Sequence, residues 1–480
     1  MSIPNLLTQR NLLIFFSFFL NEIFTHITVR SPKELAKQFT NQTIKVGLAN
    51  FGNIPYGHKI VGNIYYDTTN SSNTIGCESI IFQGLPVSPK VDESPILMVH
   101  RGGGCSFVTK VRNVENALAH AAIIINDQAG VDVESVIMAD DGRGMEITIP
   151  SVLISKEDGD KLLSYYKDNI NDPKKLKGIV LEMDFDMENK NNTVTYDLWY
   201  TPDQESVYSL LNNLYYYHLE LRSAATLNIH FVTYSHFSYL PGVKEAKENC
   251  LGSGKYCIRP DPDKVNVTDG RAILKEAIKQ KCVYKVAYSS NSSDLFWLYL
   301  QNFYSKCILE NSFTEACSKL ASKEAGIPTQ LVSECINNSY IASDEDKQRD
   351  NWHYIVENTI LEEEFKDRKE MMINRIPSLF INKRLFLGSW RADYVFESIC
   401  AAFKKKPEIC YLEGGFEREK KMNVVTLVCV ILLILVANVI IFFICMKVIR
   451  KKIQERLDAS DIDRKIDTVV NSYLQMRETK

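Results

Sequence analysis

Between Val424 and Met446 the chain reads VVTLVCVILLILVANVIIFFICM, with Asn438 as its one strongly polar residue. A helix needs about 20 such residues to cross the hydrocarbon of a bilayer, and a soluble core helix rarely stays apolar all round for this length. The pattern therefore predicts a transmembrane helix over 424–446. Lys447, Arg450, Lys451, Lys452 and Arg456 follow it, whereas Arg418, Lys420 and Lys421 before it are diluted by Glu417 and Glu419. The cationic side faces the cytosol, so 447–480 is expected as a cytosolic tail and everything before 413–423, the juxtamembrane stretch, as luminal. The shorter apolar run Leu12–Leu20 behind Arg10 reads as the core of a secretory signal, set at 1–28.

Shorter periods organise the luminal part. Ile96–Val99, between Pro95 and three glycines, suits a buried strand ending in a tight loop. Phe107, Val111, Val114 and Leu118 fall at helical spacing, and Ala121–Ile125 reads as the next strand. The run Ile147–Ile154 predicts a strand pair or a strand bent at Pro150, and Ser155 with Asp158 a cap for a helix reaching Tyr166. A second pattern begins near Thr193. TVTYDLWYT alternates as a strand, Val207, Leu210, Leu211, Leu214 and Leu221 mark a helix face, and Thr226–Tyr234 reads as a strand. Far downstream, Arg375–Phe403 gives a proline, a strand, a turn at Asn382–Lys383, a second strand ending at Gly388, and a helix.

Composition changes this picture in two places. A net charge of −3 gives no reason to expect nucleic acid as a partner. Outside the expected span lie Cys77, Cys105, Cys250, Cys257, Cys282, Cys307, Cys317, Cys335, Cys400 and Cys410, an even set that reads as disulfides in an oxidising compartment, with connectivity open. Acceptor sequons at Asn41, Asn70, Asn191, Asn266, Asn291 and Asn337 all precede the span.

Three resemblances follow from these stretches. RGGGCSFVTKVRNVENALAHAAIIIND, then ITIPSVLIS, and the earlier NFGNIPYG resemble the protease-associated domain, a small α/β module assigned here to 29–185. The Thr193–Leu221 and Arg375–Phe403 patterns resemble the two halves of a thioredoxin fold, in which a proline such as Pro377 is usually cis. A thioredoxin dithiol would sit at TPDQES, and no C-x-x-C occurs in the chain. GSGKYCIRPDPD, GRAILKEAIKQKCVYKV, FWLYLQNFYSKC, FTEACSKLASKEAGIPTQLVSECI and ICAAFKKKPEIC are similar to the central region of vacuolar sorting receptors. The assignment is a thioredoxin-like domain with a helical, disulfide-bonded insertion at 190–412. Members of that family in plants carry epidermal-growth-factor-like repeats before the membrane, whereas Cys410 is followed by LEGGFEREKK and the apolar run.

The resemblance implies a type I membrane cargo receptor of Golgi, endosomal or prevacuolar membranes that binds soluble proteins through sorting peptides and has no catalytic group, metal or cofactor. Ligand binding is expected at Arg101, Gly102, Gly103, Gly104, Cys105, Ser106 and Phe107. Glycines let a peptide backbone approach, and a guanidinium engages a carboxylate or carbonyl bidentately. Plant receptors have Arg-Gly-Asp-Cys there. His100 beside Arg101 suggests a pH switch through added repulsion in acid, and a Cys77–Cys105 pairing is a guess. In the tail Tyr473 and Met476 form a tyrosine-based signal that clathrin-adaptor-type proteins would take as an extended peptide. Competing readings are a structural or adhesive membrane glycoprotein, separable by stable surface residence, and a membrane-tethered protease-associated-domain enzyme. The second would need HExxH or G-x-S-x-G, and the chain has neither.

Overall fold

The computed structural model describes residues 25–81, 94–187, 189–235, 243–260, 269–290, 292–341, 357–411 and 424–478. Two compact units divide the chain, Met1–Glu413 and Gly414–Lys480.

The first unit opens with a closed seven-stranded barrel. Its strands are β1 (His26–Ser31), β2 (Thr43–Leu48), β3 (Lys59–Tyr65), β4 (Ile96–His100), β5 (Ala121–Ile125), β6 (Ser151–Ile154) and β7 (Val180–Asp184), in the order β1-β2-β6-β5-β4-β3-β7. β3, β4, β5 and β6 run parallel, and β7 closes the ring antiparallel to both β1 and β3. Full closure leaves no edge open to pairing. On β4, Ile96 and Met98 face the main core while Leu97 and Val99 face a second cluster under helix α1 (Phe107–Asn116), so the strand is apolar on both sides. Helix α2 (Lys156–Asp168) starts at Ser155, whose side chain accepts from the Asp158 amide at 3.0 Å.

Three expectations are corrected here. The signal boundary at 28 falls inside β1, whose Ile27 is fully buried and which pairs with β2 and β7, so 25–28 belong to the folded barrel. Of Ile147–Ile154 only Ser151–Ile154 is strand. Leu118, expected on the helix face, lies beyond α1 with φ 66° and is exposed.

The thioredoxin-like sheet holds β8 (Val194–Tyr200), β9 (Ala225–Phe231), β10 (Ser378–Ile381) and β11 (Arg384–Leu385) in the order β11-β10-β8-β9. β8 pairs parallel with β9 and antiparallel with β10. Helix α3 (Glu205–Leu221) crosses between β8 and β9, and the Ile376–Pro377 bond leading into β10 is cis. Between β9 and β10 lie α4 (Gly270–Ser289), α5 (Ser293–Phe303), α6 (Glu315–Glu324), α7 (Thr329–Ser339) and α8 (Thr359–Glu370), and α9 (Ala392–Ala401) follows β11. All ten cysteines of this unit pair: Cys77–Cys105, Cys250–Cys257, Cys282–Cys335, Cys307–Cys317 and Cys400–Cys410.

One apolar cluster runs from the barrel interior through to the thioredoxin-like helices. Tyr56 is the peg between them. Its ring lies 5.9 Å from that of Phe386, and its hydroxyl accepts from the Leu387 amide at 3.0 Å. Nearby, the Ser389 amide donates to the Gly52 carbonyl at 2.9 Å.

The second unit contributes a single helix, α10, Val424–Glu478. It continues without a break through the expected span and tail. Most side chains of its first part, which holds the expected span, lie outside the described residues, and among the described residues no helix is long and apolar enough to cross a membrane.

Candidate ligand-binding loop

Two strand-to-helix turns carry the candidate chemistry. In the barrel, the Arg101 amide donates to the Ile125 carbonyl at 2.9 Å as the last rung beside β5, and the chain then turns through Gly102, Gly103 and Gly104 at φ 99°, 76° and 79°. L side chains rarely adopt this region. At Gly103 a side chain is also excluded by space, since a Cβ would stand 2.2 Å from Ile75 Cγ2 and 3.0 Å from Cys77 Sγ. At Gly104 nothing lies within 4 Å, so that residue faces open space. Among the described residues, the amides of Gly102, Gly103, Gly104 and Cys105 reach no acceptor.

The loop is held from beneath. Cys105 is bonded to Cys77, and the buried Lys110 of α1 donates to the Ile75 carbonyl at 2.5 Å. Burial pushes the Lys110 ammonium below its ordinary pKa. Asn113 donates to the Gly76 carbonyl at 3.0 Å. Ser106 caps α1 by accepting from the Thr109 amide at 3.1 Å and donates its hydroxyl proton to Asp141 at 2.6 Å. The Arg143 guanidinium and this hydroxyl hold the Asp141 carboxyl at about 2.

Arg101 is fixed on three sides. Its Nη1 donates to Asn126 Oδ1 at 3.0 Å, its Nε stands 3.6 Å from Asp127 Oδ1, and its guanidinium lies 5.6 Å from the centre of the Phe107 ring. Arg101, the glycines, Cys105, Ser106 and Phe107 thus meet at one end of the parallel strands. The arrangement can offer a guanidinium edge and free amides to a carboxylate or a peptide carbonyl.

His100 does not join them. It follows Ile96 and Met98 in the strand's alternation, opposite to Arg101, and its Nε2 lies 3.0 Å from the Tyr66 hydroxyl. Burial, with help from Lys156, Lys167 and Lys110 and against Asp160, holds its pKa below the ordinary imidazole value. The imidazole thus lies on the other side of the strand from Arg101 and the glycine loop.

The thioredoxin-like turn has the opposite character. Thr201, Pro202, Asp203 and Gln204 are all buried. The Thr201 amide donates to Gln204 Oε1 at 3.0 Å, and the Tyr208 hydroxyl donates to the Pro202 carbonyl at 2.9 Å. Gln280 of α4, fully buried, accepts from the Tyr200 hydroxyl at 2.8 Å and donates to Tyr208 Oη at 2.9 Å and Glu276 Oε1 at 3.0 Å. The insertion therefore lies over the place where a dithiol would act, and that place holds no thiol.

The remaining sites are scattered. Asn41, Asn70, Asn191 and Asn337 are exposed, while Asn266 and Asn291 lie outside the described residues. Tyr473 and Met476 are 72% and 62% exposed, three apart on α10 and so on one face of it. An adaptor that reads them as an extended peptide must first unwind the end of that helix. Sequence reasoning missed Asn126, Asp127 and the Tyr56 peg. The first two could have been found from the polar pair directly after AAIII, because neighbouring parallel strands bring their carboxyl ends together.

A barrel of the protease-associated kind is joined to a thioredoxin-like domain whose first turn holds no thiol. Family comparison agrees. Residues 194–400 match the vacuolar sorting receptor thioredoxin-like domain, and residues 61–162 match the PA domain. Vacuolar-sorting receptor 7 of Arabidopsis thaliana is 26% identical over 412 residues, covering 82% of this chain and 61% of its own length. Vacuolar-sorting receptor 1 of Pisum sativum is 26% identical over 418 residues, covering 80% and 60%. The chain is similar to vacuolar sorting receptors along about four fifths of its own length, and it spans about 60% of the length of these curated relatives. An oxidised Mtb DsbA structure covers 45% of this chain and 85% of its own at 10% identity, with a TM-score of 0.27, too low to carry an argument.

Proposed function

We propose that this protein is a single-pass type I cargo receptor, sorting soluble luminal proteins from the Golgi toward endosomal or vacuole-like compartments. The observation that carries the reading is the Arg101–Phe107 loop, where the amides of Gly102, Gly103, Gly104 and Cys105 meet no acceptor among the described residues and stand beside a positioned guanidinium, while the thioredoxin-like turn is closed. Receptor-named relatives support the cargo role and a non-enzymatic chain. In this reading Val424–Met446 spans the membrane and Tyr473 with Met476 recruits a clathrin adaptor after local unwinding.

Two measurements test it. Full-length protein in detergent micelles, incubated with soluble luminal extract, should retain a defined set of proteins, and Arg101→Ala should lower that retention about tenfold or more, the worth of a charge-assisted hydrogen bond. Unchanged retention by Arg101→Ala overturns the loop assignment. In cells, deletion from Tyr473 onward should strand the protein in the Golgi or at the surface, and a normal distribution would count against the tail assignment.

A further inference from the structure

The contacts of Arg101 say more about its ligand than the loop alone does. Asn126 is 1% exposed, and its amide group is engaged at both ends: Oδ1 accepts from Arg101 Nη1 at 3.0 Å and from the Asp127 amide at 3.1 Å, while Nδ2 donates to the Gln128 carbonyl at 3.2 Å. A buried amide, itself held at both ends, holds one edge of the guanidinium and the Phe107 ring supports its plane. The cation therefore keeps its place whether or not a ligand is present.

Asp127 is held differently. Its backbone is tied to Asn126, but its carboxylate is 47% exposed and reaches Arg101 Nε only at 3.6 Å, beyond ordinary hydrogen-bond length. Its second oxygen lies 3.9 Å from where a Cβ on Gly102 would stand, so the carboxylate hangs over the first glycine of the loop. An acid on a fixed backbone, loosely facing a fixed guanidinium at the mouth of the loop, occupies the position an incoming acid would need.

Resting on the cargo-loop reading above, we propose that Asp127 is a resident stand-in for an acidic group of the cargo. The ligand taken at Arg101 then carries a carboxylate and displaces Asp127 on binding. The exchange is charge-neutral at Arg101: one carboxylate leaves and another arrives, so the guanidinium is never left bare. A cargo without an acid would have no group to replace the one it pushes aside. Because exposed ion pairs are weak, Asp127 costs an acidic cargo a factor of about two to five in affinity, and a peptide without an acid does not enter the exchange.

The test uses full-length protein in micelles and two tritium-labelled pools of pentapeptides randomised without Asp and Glu, one with a free C-terminal carboxylate and one amidated. Asp127→Asn should retain about two- to fivefold more of the free-acid pool than the wild type, with retention of the amidated pool unchanged. Equal gains in both pools, or no gain in either, overturn the stand-in. Arg101→Ala separates the two levels. If it retains both pools as the wild type does, the loop reading itself fails. If it loses the free-acid pool while Asp127→Asn matches the wild type, only the inference about Asp127 fails.

Discussion

The turn after β4 and the turn after β8 are built to the same plan, a strand running into a short loop and a helix, and they have opposite fates. The first is paved with glycines, leaves its amides without an acceptor among the described residues and holds a guanidinium at its rim. The second is filled by its own Gln204, braced by Tyr208 and covered by Gln280 of the insertion. A strand end becomes a binding site only if nothing from the same chain satisfies its polar groups first. The insertion does that for one turn, and the disulfide to Cys77 keeps the other turn open by holding it from below instead of from above.

Breaking that support should give the largest effect. Replacing both Cys77 and Cys105 by Ser frees a loop with a sequence separation of 28 and should cost about 3–4 kcal/mol in chemical denaturation, with loss of cargo retention. Gly103→Val comes next, at about 3 kcal/mol, because a branched side chain at φ 76° would also strike Ile75. Gly104→Ala, with open space around it, should cost only about 1 kcal/mol from its backbone angle. If the two glycine variants lose the same stability, the support from below is misassigned.

At the covered turn, Tyr208→Phe removes the bonds to Pro202 and Gln280 and should cost about 1–2 kcal/mol while leaving cargo retention untouched. A fall in retention beyond the loss of folded protein would mean that the two turns are not independent.

The smallest effect is one of pH. His230 stacks on Trp199 and lies 3.2 Å from Glu364, which also pairs with Lys281 at 2.5 Å. Burial pushes the His230 pKa down, but Asp197 and Glu364 outweigh it and raise it. Glu364 is pushed up by burial, and His230 and Lys281 bring it below the ordinary carboxylate value. A raised imidazole stabilises the fold below its unfolded pKa, and that help is lost as pH rises through the folded value; a depressed carboxylate helps above its unfolded pKa and is lost as pH falls through the folded one. The cluster is therefore strongest in mild acid, between the carboxylate and imidazole ranges. His230→Gln should cost more stability at pH 5.5 than at pH 7.5, measured as melting temperatures on the same preparation. An equal loss at both values would remove His230 from the acid response. His218, lowered to about 4 by burial, acts in the opposite sense and is the internal control.

Much of this architecture was legible in the residue pattern. Two-sided apolar strands such as Ile96–Val99, the cap at Ser155, the turn at Asn382–Lys383 and the thiol-free TPDQES are local signals, and local sterics and burial decide them. Leu118 shows where periodicity fails: the helix ended early and the chain turned left-handed two residues later.

What the order of residues determined by itself was the set of elements, the pairing capacity of ten cysteines and the presence of a glycine loop behind an arginine. Tertiary structure decided which groups are satisfied. His100 and Arg101 are neighbours in sequence and face opposite ways because side chains alternate along a strand. Asn126 and Asp127 reach Arg101 across 25 and 26 positions because parallel pairing lays the ends of β4 and β5 side by side. Binding capacity is a matter of which donors remain unspent after folding, and that balance is struck between segments distant in sequence, where no local pattern records it.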